Sequence, residues 1–242
     1  MKLHVFNQNF SSWSMRPLLV VKKLQLPVTI TAYNLADPTH VAKVKAEVNA
    51  TGFLPALEVD FAGSGKATVI PDSLAIIETL NDLFPNAHIW PQDVGMRAKA
   101  RSLAAEMHSS YQHVRTAMPC NLRTRYPAQK WSPETLAEIQ RILHVWETAR
   151  AETVATLGNN KDDGWLFGEF SGADAMFFPV VTRFTSYSVE ISDSFPLVKK
   201  YMERVLQDGA VKGMYATGFN EEWVIEKYDK VYVGGQRVNV TA

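Results

Sequence analysis

The sequence LHVFNQNFSSWSMRPLLVVKKLQLPVTITAY, residues 3–33, consists of two short extended runs with a helical run between them. Leu3 to Asn7 predicts a strand, and Val28 to Tyr33, which is rich in β-branched residues, predicts a second strand. Between them, Pro17 to Leu24 predicts a helix with the proline in its first turn, where a missing N–H costs no hydrogen bond. The chain therefore opens β-α-β, for which a right-handed crossover is expected.

The next stretch predicts two strands and a helix. Ala56 to Phe61 and Ala67 to Ile70 are extended runs that flank Gly63-Ser64-Gly65, a turn sequence typical of a hairpin. Ser73 to Phe84 then repeats apolar residues at helical spacing and stops before Pro85. We therefore predict an α/β domain with a mixed four-stranded sheet in the order βαβ–ββα.

The character of the chain changes after this domain. Residues 85–95 form a proline-punctuated connection, and helical periodicity dominates beyond it. One apolar stripe runs from Leu103 to Met118, and a second, from Leu136 to Trp146, follows a Ser132-Pro133 helix start. We predict an α/β domain at residues 1–86, a linker at 87–94 and an all-α domain at 95–242.

Charge and cysteine content argue against several classes of function. The 25 Lys and Arg residues balance the 25 Asp and Glu residues, so no net field attracts nucleic acid or an anionic membrane. Cys120 is the only cysteine, which excludes an intramolecular disulfide and favours a reducing compartment, the cytoplasm. The N-terminal apolar run is too short for a signal peptide or a membrane span. No H-E-x-x-H or paired Cys/His spacing occurs, so we expect no metal.

The segment NFSSWSMRP, residues 9–17, places three serines between a predicted strand and a predicted helix. A helix N-terminus carries partial positive charge and unpaired N–H groups, so an anion is favoured there. A structural interpretation also fits, in which Ser14 caps the helix while Ser11 and Ser12 are loop residues. A serine hydrolase is not indicated, because the sequence has neither a G-x-S-x-G elbow nor a motif that supplies a histidine base.

Two further segments suit the binding of a small polar molecule. TGFLPAL, residues 51–57, places Pro55 at the start of an extended run. IPDSLAII, residues 70–77, places Asp72 and Ser73 at a helix start, where their polar groups and the helix N–H groups can hold a zwitterion. Each segment alone is also an ordinary structural device, a proline bend or a helix cap.

Together these segments resemble the glutathione transferase superfamily over almost the whole chain. That family joins a thioredoxin-like βαβ–ββα domain to a helical domain. Its serine-type turn, S-S-x-S-x-R, is similar to Ser11–Arg16, its cis-proline segment to Gly52–Leu57 and its γ-glutamyl signature to Asp72–Glu78. Its helical-domain capping box is similar to Ser171 and Asp174. Trp13 stands where the zeta-class maleylacetoacetate isomerases have cysteine, so the pattern is closer to bacterial-type serine transferases.

The resemblance implies that the chain binds glutathione as a cosubstrate and activates its thiol for attack on a small electrophile. It implies Ser11 as the catalytic hydroxyl. It implies further glutathione contacts through Ser12, His40, Leu54, Pro55, Asp72 and Ser73, with Lys43 as another candidate. Leu54 would contact the cysteinyl part through its backbone, before a cis bond to Pro55.

The resemblance also implies a homodimer and an electrophile site between the domains. We expect that site to be lined by Phe10, Met107, Tyr111, Met118 and Asn121. Glutathione-dependent isomerisation, ether cleavage and a non-catalytic binding or scaffolding role remain open alternatives.

Overall fold

The computed structural model describes residues 1–63, 65–158, 161–229 and 236–237. The first part of the chain forms a mixed sheet in the order β2-β1-β3-β4. Its strands are β1 (Lys2–Phe6), β2 (Thr29–Tyr33), β3 (Ala56–Val59) and β4 (Thr68–Ile70). β1 is parallel to β2 and antiparallel to β3, and β4 pairs antiparallel with β3. The predicted four-stranded sheet is confirmed, while Ser64 of the predicted turn lies outside the described residues.

The side chains of β1 alternate between the two faces of the sheet and pack into the core on each side. Leu3 and Val5 are buried in the large core with residues of the first and third helices, whereas Phe6 is buried on the other face with Val44 of the second. Successive strand residues point to opposite faces, so one strand serves both layers. The three helices are α1 (Ser12–Lys23), α2 (Pro38–Glu47) and α3 (Ser73–Leu83).

Two of these helices differ from the prediction. α1 begins at Ser12, so Pro17 lies inside the helix rather than in its first turn. Every residue from Ser14 to Val21 is buried, and this packing outweighs the backbone hydrogen bond that the proline removes. α2 was not predicted, because Val44 is its one buried residue and its sequence therefore lacks an apolar stripe.

The second part of the chain is helical. It contains a two-residue strand, β5 (Thr124–Arg125), which pairs with β6 (Gln236–Arg237) and was not predicted. Its helices are α4 (Val94–Ser109), α5 (Gln112–Ala117), α6 (Pro133–Leu157), α7 (Gly172–Ser186), α8 (Pro196–Gln207), α9 (Gly209–Asn220) and α10 (Glu226–Asp229). Within the described ranges, no helix is both long enough and apolar enough to cross a membrane.

The stripe predicted from Leu103 to Met118 is two helices rather than one. Tyr111 has a φ of 63° and separates α4 from α5. Its ring is buried, so tertiary packing holds a backbone conformation that local periodicity does not reveal. The predicted start of α6 is confirmed, with Ser132 as its N-cap and Pro133 as its first residue.

α7 connects the two parts of the molecule. It packs against α1 of the sheet part and against α4, and its side chains belong to a core that also contains residues of β1 and β3. Ser171 and Asp174 form the predicted capping box at its start. Because one core spans both parts, the boundaries at 1–86, 87–94 and 95–242 stay a prediction.

Candidate functional site

The segment after β1 brings the hydroxyl groups of Ser11, Ser12 and Ser14 to the beginning of α1. We call residues 11–14 the serine loop. Ser11 is the N-cap: its Oγ accepts from the Ser14 N–H at 3.4 Å and donates to the Ser14 Oγ at 2.9 Å. Ser14 is buried, and its Oγ also accepts from the Phe6 N–H at 3.1 Å. Ser14 therefore ties α1 to β1 and is not the cap that its position suggested, because the helix begins at Ser12.

Ser12 contacts a buried cation from the helical part of the chain. Its Oγ accepts from Arg183 Nη2 at 3.3 Å. Arg183 is 5% exposed, and its other donors reach the carbonyl oxygens of Met118 at 2.7 Å and Pro179 at 2.9 Å. These three acceptors are neutral oxygens. The serine loop thus faces both the positive end of α1 and a guanidinium charge.

A cavity of ≈ 410 Å³ lies between the serine loop and the helical part of the chain, and we call it the serine cavity. Ser11, Ser12 and Trp13 form one side, and residues of α5, α7 and the C-terminal segment form the other. The full lining is Asn7, Phe10, Ser11, Ser12, Trp13, Leu35, Gln112, Arg115, Thr116, Pro119, Cys120, Arg183, Ile225 and Tyr228.

The residues predicted to line the electrophile site are divided between this cavity and the core. Phe10 lines it, but Met107, Tyr111, Met118 and Asn121 do not. Met107, Tyr111 and Met118 are buried in the core, and the buried Asn121 donates from Nδ2 to the Tyr126 hydroxyl at 3.3 Å. Cys120, which the sequence places far from the serines, does line the cavity. The cavity-facing residues of α5 are instead on its polar side, which periodicity identifies only as the side away from the core.

A second cavity, of ≈ 230 Å³, collects four of the predicted glutathione contacts: Leu54, Pro55, Asp72 and Ser73. The Leu54–Pro55 bond is cis, as expected. The β1–β3 ladder ends at the His4–Ala56 pair, so Leu54 lies just beyond the paired part of β3. We call this space the acidic cavity. Trp13 lines both cavities, so they meet at one side chain.

Asp72 is the charged group of the acidic cavity. Its Oδ1 accepts from the Leu74 and Ala75 N–H groups at 2.9 Å each, which caps α3. Its Oδ2 lies 2.7 Å from the Nε2 of His108, a residue of α4. Burial opposes ionisation of Asp72, but the hydrogen bonds from Ala75 and His108 outweigh it and lower the pKa of the carboxyl. An anionic Asp72 suits a ligand ammonium group.

His40 lies apart from both cavities. Its Nδ1 accepts from the Asn34 N–H at 2.9 Å, and its ring packs edge-on against Trp223 with centroids 5.9 Å apart. Lys43 is exposed, and its Nζ lies 3.9 Å from the Oε2 of Glu47. The structure therefore groups Ser11 and Ser12 around one cavity and four other predicted contacts around a second, and it leaves His40 outside both. A contact from His40 to the glycyl carboxylate stays a prediction.

Two arginines lie against the ring of Trp13. The guanidinium carbons of Arg16 and Arg115 lie 4.2 Å and 4.4 Å from the centroid of its ring. Arg16 is 1% exposed, and its Nη1 donates to the Ser73 Oγ at 3.5 Å. Burial, followed by the charges of Arg115 and Arg183, lowers the pKa of Arg16 to about 9. The cluster therefore repels further positive charge and attracts anions.

Two family models describe the same two parts of the chain. The model of the glutathione S-transferase N-terminal domain matches residues 10–83, and that of the glutathione S-transferase C-terminal domain matches residues 129–204. The chain belongs to the glutathione S-transferase superfamily. The first match spans the serine loop, the Leu54–Pro55 bond and the Asp72–Ser73 helix start.

Relatives of the superfamily resemble this chain over most of its length. A maleylacetoacetate isomerase of Pseudomonas aeruginosa is 27% identical over 206 residues, which cover 83% of this chain and 88% of that protein. Glutathione transferase Omega 2S of Trametes versicolor, in complex with 2,4-dihydroxybenzophenone, aligns at 18% identity with a TM-score of 0.65, covering 89% and 93% of the two chains.

Two other solved structures extend this comparison. Maleyl pyruvate isomerase, a bacterial transferase of the zeta class, aligns at 21% identity with a TM-score of 0.59, covering 93% of this chain and 100% of that one. A glutathione transferase homologue from Burkholderia with bound glutathione aligns at 19% identity with a TM-score of 0.58, covering 91% and 98%. The fold is thus the predicted thioredoxin-like domain with a helical domain, and superfamily membership supports a glutathione-dependent function.

Sequence reasoning missed His108, Arg115 and Arg183 as parts of the site. They come from three helices, α4, α5 and α7, and meet the serine loop only through tertiary packing. No local motif marks them. The available signal was weak: Arg183 is a charged residue inside a helix in which nearly all other side chains are apolar or small.

Proposed function

We propose that this superfamily member is a glutathione transferase that activates the glutathione thiol for attack on a small electrophile. The observation that carries the proposal is the meeting of the two cavities at Trp13. The acidic cavity offers Asp72 and Ser73 to the γ-glutamyl end, and the backbone of Leu54 offers groups to the cysteinyl part. A peptide bound in this way extends its thiol toward Ser11 and Ser12.

The serine loop has enough polar character to stabilise a thiolate. A free thiol has a pKa of about 8.5, and lowering it by about two units requires roughly 2.7 kcal/mol of preferential stabilisation. A charge-assisted hydrogen bond contributes about 1.5 to 3 kcal/mol, and a helix N-terminus adds about 0.3 to 1 kcal/mol. Ser11 and the N-terminus of α1 together reach that value, with Ser11 as a hydrogen-bond donor and not a nucleophile.

Ser12 is a second donor at the same place. The Ser11 hydroxyl donates to the Ser14 Oγ, so it must rotate before it can donate to the sulfur of glutathione. The Ser12 oxygen accepts from Arg183. Among the hydrogen bonds of the described residues, the Ser12 hydroxyl hydrogen has no acceptor. We retain Ser11 as the principal donor because it is the N-cap of α1. Separate substitution of Ser11 and Ser12 shows which hydroxyl stabilises the thiolate.

In a conjugation reaction, the thiolate electron pair forms a C–S bond to the electrophilic carbon. A leaving group departs with the electron pair of the bond that breaks, or, in an addition, the adjacent carbon takes a proton from solvent. The thiol proton has already passed to solvent. The apolar side chains of Phe10, Ile225 and Tyr228 in the serine cavity suit the carbon skeleton of the electrophile.

Glutathione-dependent isomerisation is the second candidate function. The Pseudomonas relative is named an isomerase, and so is the zeta-class structural neighbour. The same thiolate would add to a double bond and leave again after rotation, so glutathione would be regenerated. Trp13, in place of the zeta-class cysteine, favours conjugation. We also propose a homodimer, as the family resemblance implies, and a cytoplasmic location, which the single cysteine favours.

Titration calorimetry with glutathione, followed by product analysis, tests the proposal. We expect saturable binding and one glutathione consumed per product molecule formed. Catalysis without consumption of glutathione would replace conjugation by isomerisation. The absence of heat and of a thermal shift at millimolar glutathione would contradict both and favour a scaffolding role.

A further inference from the structure

The carboxylate of Glu221 holds the turn that precedes the serine loop. Glu221 follows α9, and each of its side-chain oxygens accepts from a backbone N–H of that turn. Oε1 accepts from Gln8 at 2.8 Å, and Oε2 accepts from Asn9 at 3.2 Å. Hydrogen bonds from N–H groups to a carboxylate are stronger than those to a neutral acceptor. One side chain therefore fixes two consecutive amide groups just before the catalytic serines.

The turn passes this constraint on to Ser11. The Asn7 carbonyl oxygen accepts from the N–H groups of Phe10 at 3.2 Å and Ser11 at 2.9 Å. These hydrogen bonds close the turn around Gln8 and Asn9, the two residues that Glu221 holds. Ser11 follows directly as the N-cap of α1. Glu221 therefore helps to decide where the Ser11 hydroxyl lies, and a misplacement of about 1 Å in such a group can cost about 100-fold in rate.

Glu221 is itself held by the helical part of the chain. Arg123 donates from Nη1 to the Glu221 carbonyl oxygen at 2.6 Å and from Nη2 to the Trp223 carbonyl oxygen at 3.4 Å. The chain then continues along the serine cavity, which Ile225 and Tyr228 line. The segment that lines the cavity thus also supplies the acceptor for the turn.

We propose that Glu221 is a positioning residue of this enzyme, which holds the turn at residues 7–10 so that the Ser11 hydroxyl meets the glutathione thiol. Glu221 touches no substrate and acts through Ser11. This inference rests on the proposed function, in which Ser11 donates to the thiolate. It makes the segment after α9 part of the thiol-activating machinery and not only a wall of the serine cavity.

Glu221→Gln tests the proposal, because an amide NH₂ group cannot accept from an N–H group and one of the two hydrogen bonds is lost. The pKa of bound glutathione, measured by ultraviolet thiolate absorbance, should rise by about half a unit to one unit, since Ser11 is displaced and not removed. Glutathione affinity should be unchanged, because the acidic cavity is untouched.

Glu222→Gln is the matched control. Glu222 is the next residue, is exposed and lies outside this set of hydrogen bonds, and its substitution makes the same change in net charge. It should leave the pKa of bound glutathione unchanged. Glu221→Asp keeps both acceptor oxygens and should recover part of the difference.

A double variant shows whether Glu221 acts through Ser11. If it does, Ser11→Ala combined with Glu221→Gln should give the same pKa for bound glutathione as Ser11→Ala alone. Additive rises in pKa would overturn the proposal. So would a Glu221→Gln protein in which bound glutathione titrates as in the wild type.

Amide hydrogen exchange without glutathione separates this proposal from the proposed function. The Gln8 and Asn9 amides should exchange at least about tenfold faster in Glu221→Gln than in the wild type or in Glu222→Gln, with thermal unfolding confirming that all three are folded. Equal exchange would overturn the proposal. A wild type that binds glutathione without lowering the pKa of its thiol would count against the proposed function, while the exchange rates still decide whether Glu221 holds the turn.

Discussion

At the scale of single residues, the three serines of the serine loop make different contacts. Ser11 caps α1, Ser12 contacts Arg183, and Ser14 joins α1 to β1. The sequence motif predicts that this loop matters, because serines before a helix are a local signal. It does not predict which hydroxyl faces the cavity, because that depends on where the helix begins, and a helix start shifts with tertiary packing.

Ser11→Ala should raise the pKa of bound glutathione by about one to two units, since each unit corresponds to about 1.36 kcal/mol of lost thiolate stabilisation. Stability should fall by about 1 kcal/mol as well, because the cap is lost. Glutathione affinity should survive. Ultraviolet thiolate absorbance measures the pKa, and denaturant unfolding measures the stability.

The neighbouring serines are the controls for that substitution. Ser14→Ala should reduce stability, because the buried Phe6 N–H loses its acceptor, and should leave the thiol titration unchanged. If Ser12→Ala shifts the titration and Ser11→Ala does not, Ser12 is the donor. If neither substitution shifts it, activation by serine is wrong.

Asp72→Asn should weaken glutathione binding at least tenfold without unfolding α3. Asparagine is as good an N-cap as aspartate, so the hydrogen bonds to Leu74 and Ala75 are kept while the negative charge is removed. Calorimetry measures the affinity and thermal unfolding the stability. An unchanged affinity would show that Asp72 serves only as a cap.

At the scale of elements, sequence reasoning succeeded where the signal is local. The capping box of α7 is four residues long, and the structure has it with Asp174 Oδ2 2.8 Å from the Ser171 nitrogen. It failed where packing decides. α2 has almost no buried face, and the break at Tyr111 separates two helices that share one apolar stripe.

Asp174→Ala should destabilise the fold by about 2 to 4 kcal/mol, because the buried N–H groups of Leu166 and Ser171 lose their acceptor. Glutathione affinity per folded molecule should stay the same. Urea unfolding followed by fluorescence measures the difference. A loss below 0.5 kcal/mol, on the order of a surface substitution, would contradict a role in stability.

Stability should also depend on pH through this residue. Burial raises the pKa of Asp174 to about 6, above its unfolded value, despite hydrogen bonds from Leu166 and Ser171. The native state therefore holds a proton that the unfolded state has lost between about pH 4 and pH 6. Across that window the free energy of unfolding falls by about 1.4 kcal/mol per pH unit as pH rises, and the stabilisation from this proton is gone above about pH 6. Unfolding of the wild type and Asp174→Asn across this range should show their difference shrink as pH rises.

At the scale of the whole molecule, the site is assembled from segments that are distant in sequence. Arg16 and Arg115 lie against Trp13, and Arg183 donates to Ser12. Ile225 and Tyr228 line the serine cavity from the C-terminal segment. Composition and periodicity contain no information about such meetings. The motifs predict where glutathione binds, whereas the environment of the second substrate follows only from the fold.

A homodimer is the expected assembly. Phe53 is 74% exposed, an unusual position for a large apolar side chain, and it belongs to the domain that glutathione transferases pair with a partner's helical domain. Sedimentation should give twice the 27.1 kDa of one chain, and Phe53→Ser should shift the equilibrium toward the monomer. A 27.1 kDa species alone at micromolar concentration would contradict this prediction.

The central claim is that the chain binds glutathione and lowers the pKa of its thiol. Titration of the ultraviolet absorbance of the thiolate, with protein in excess over glutathione, measures both at once. The account predicts a midpoint near pH 6.5, about two units below that of a free thiol. A midpoint of about 8.5 for glutathione that calorimetry shows to be bound would contradict it.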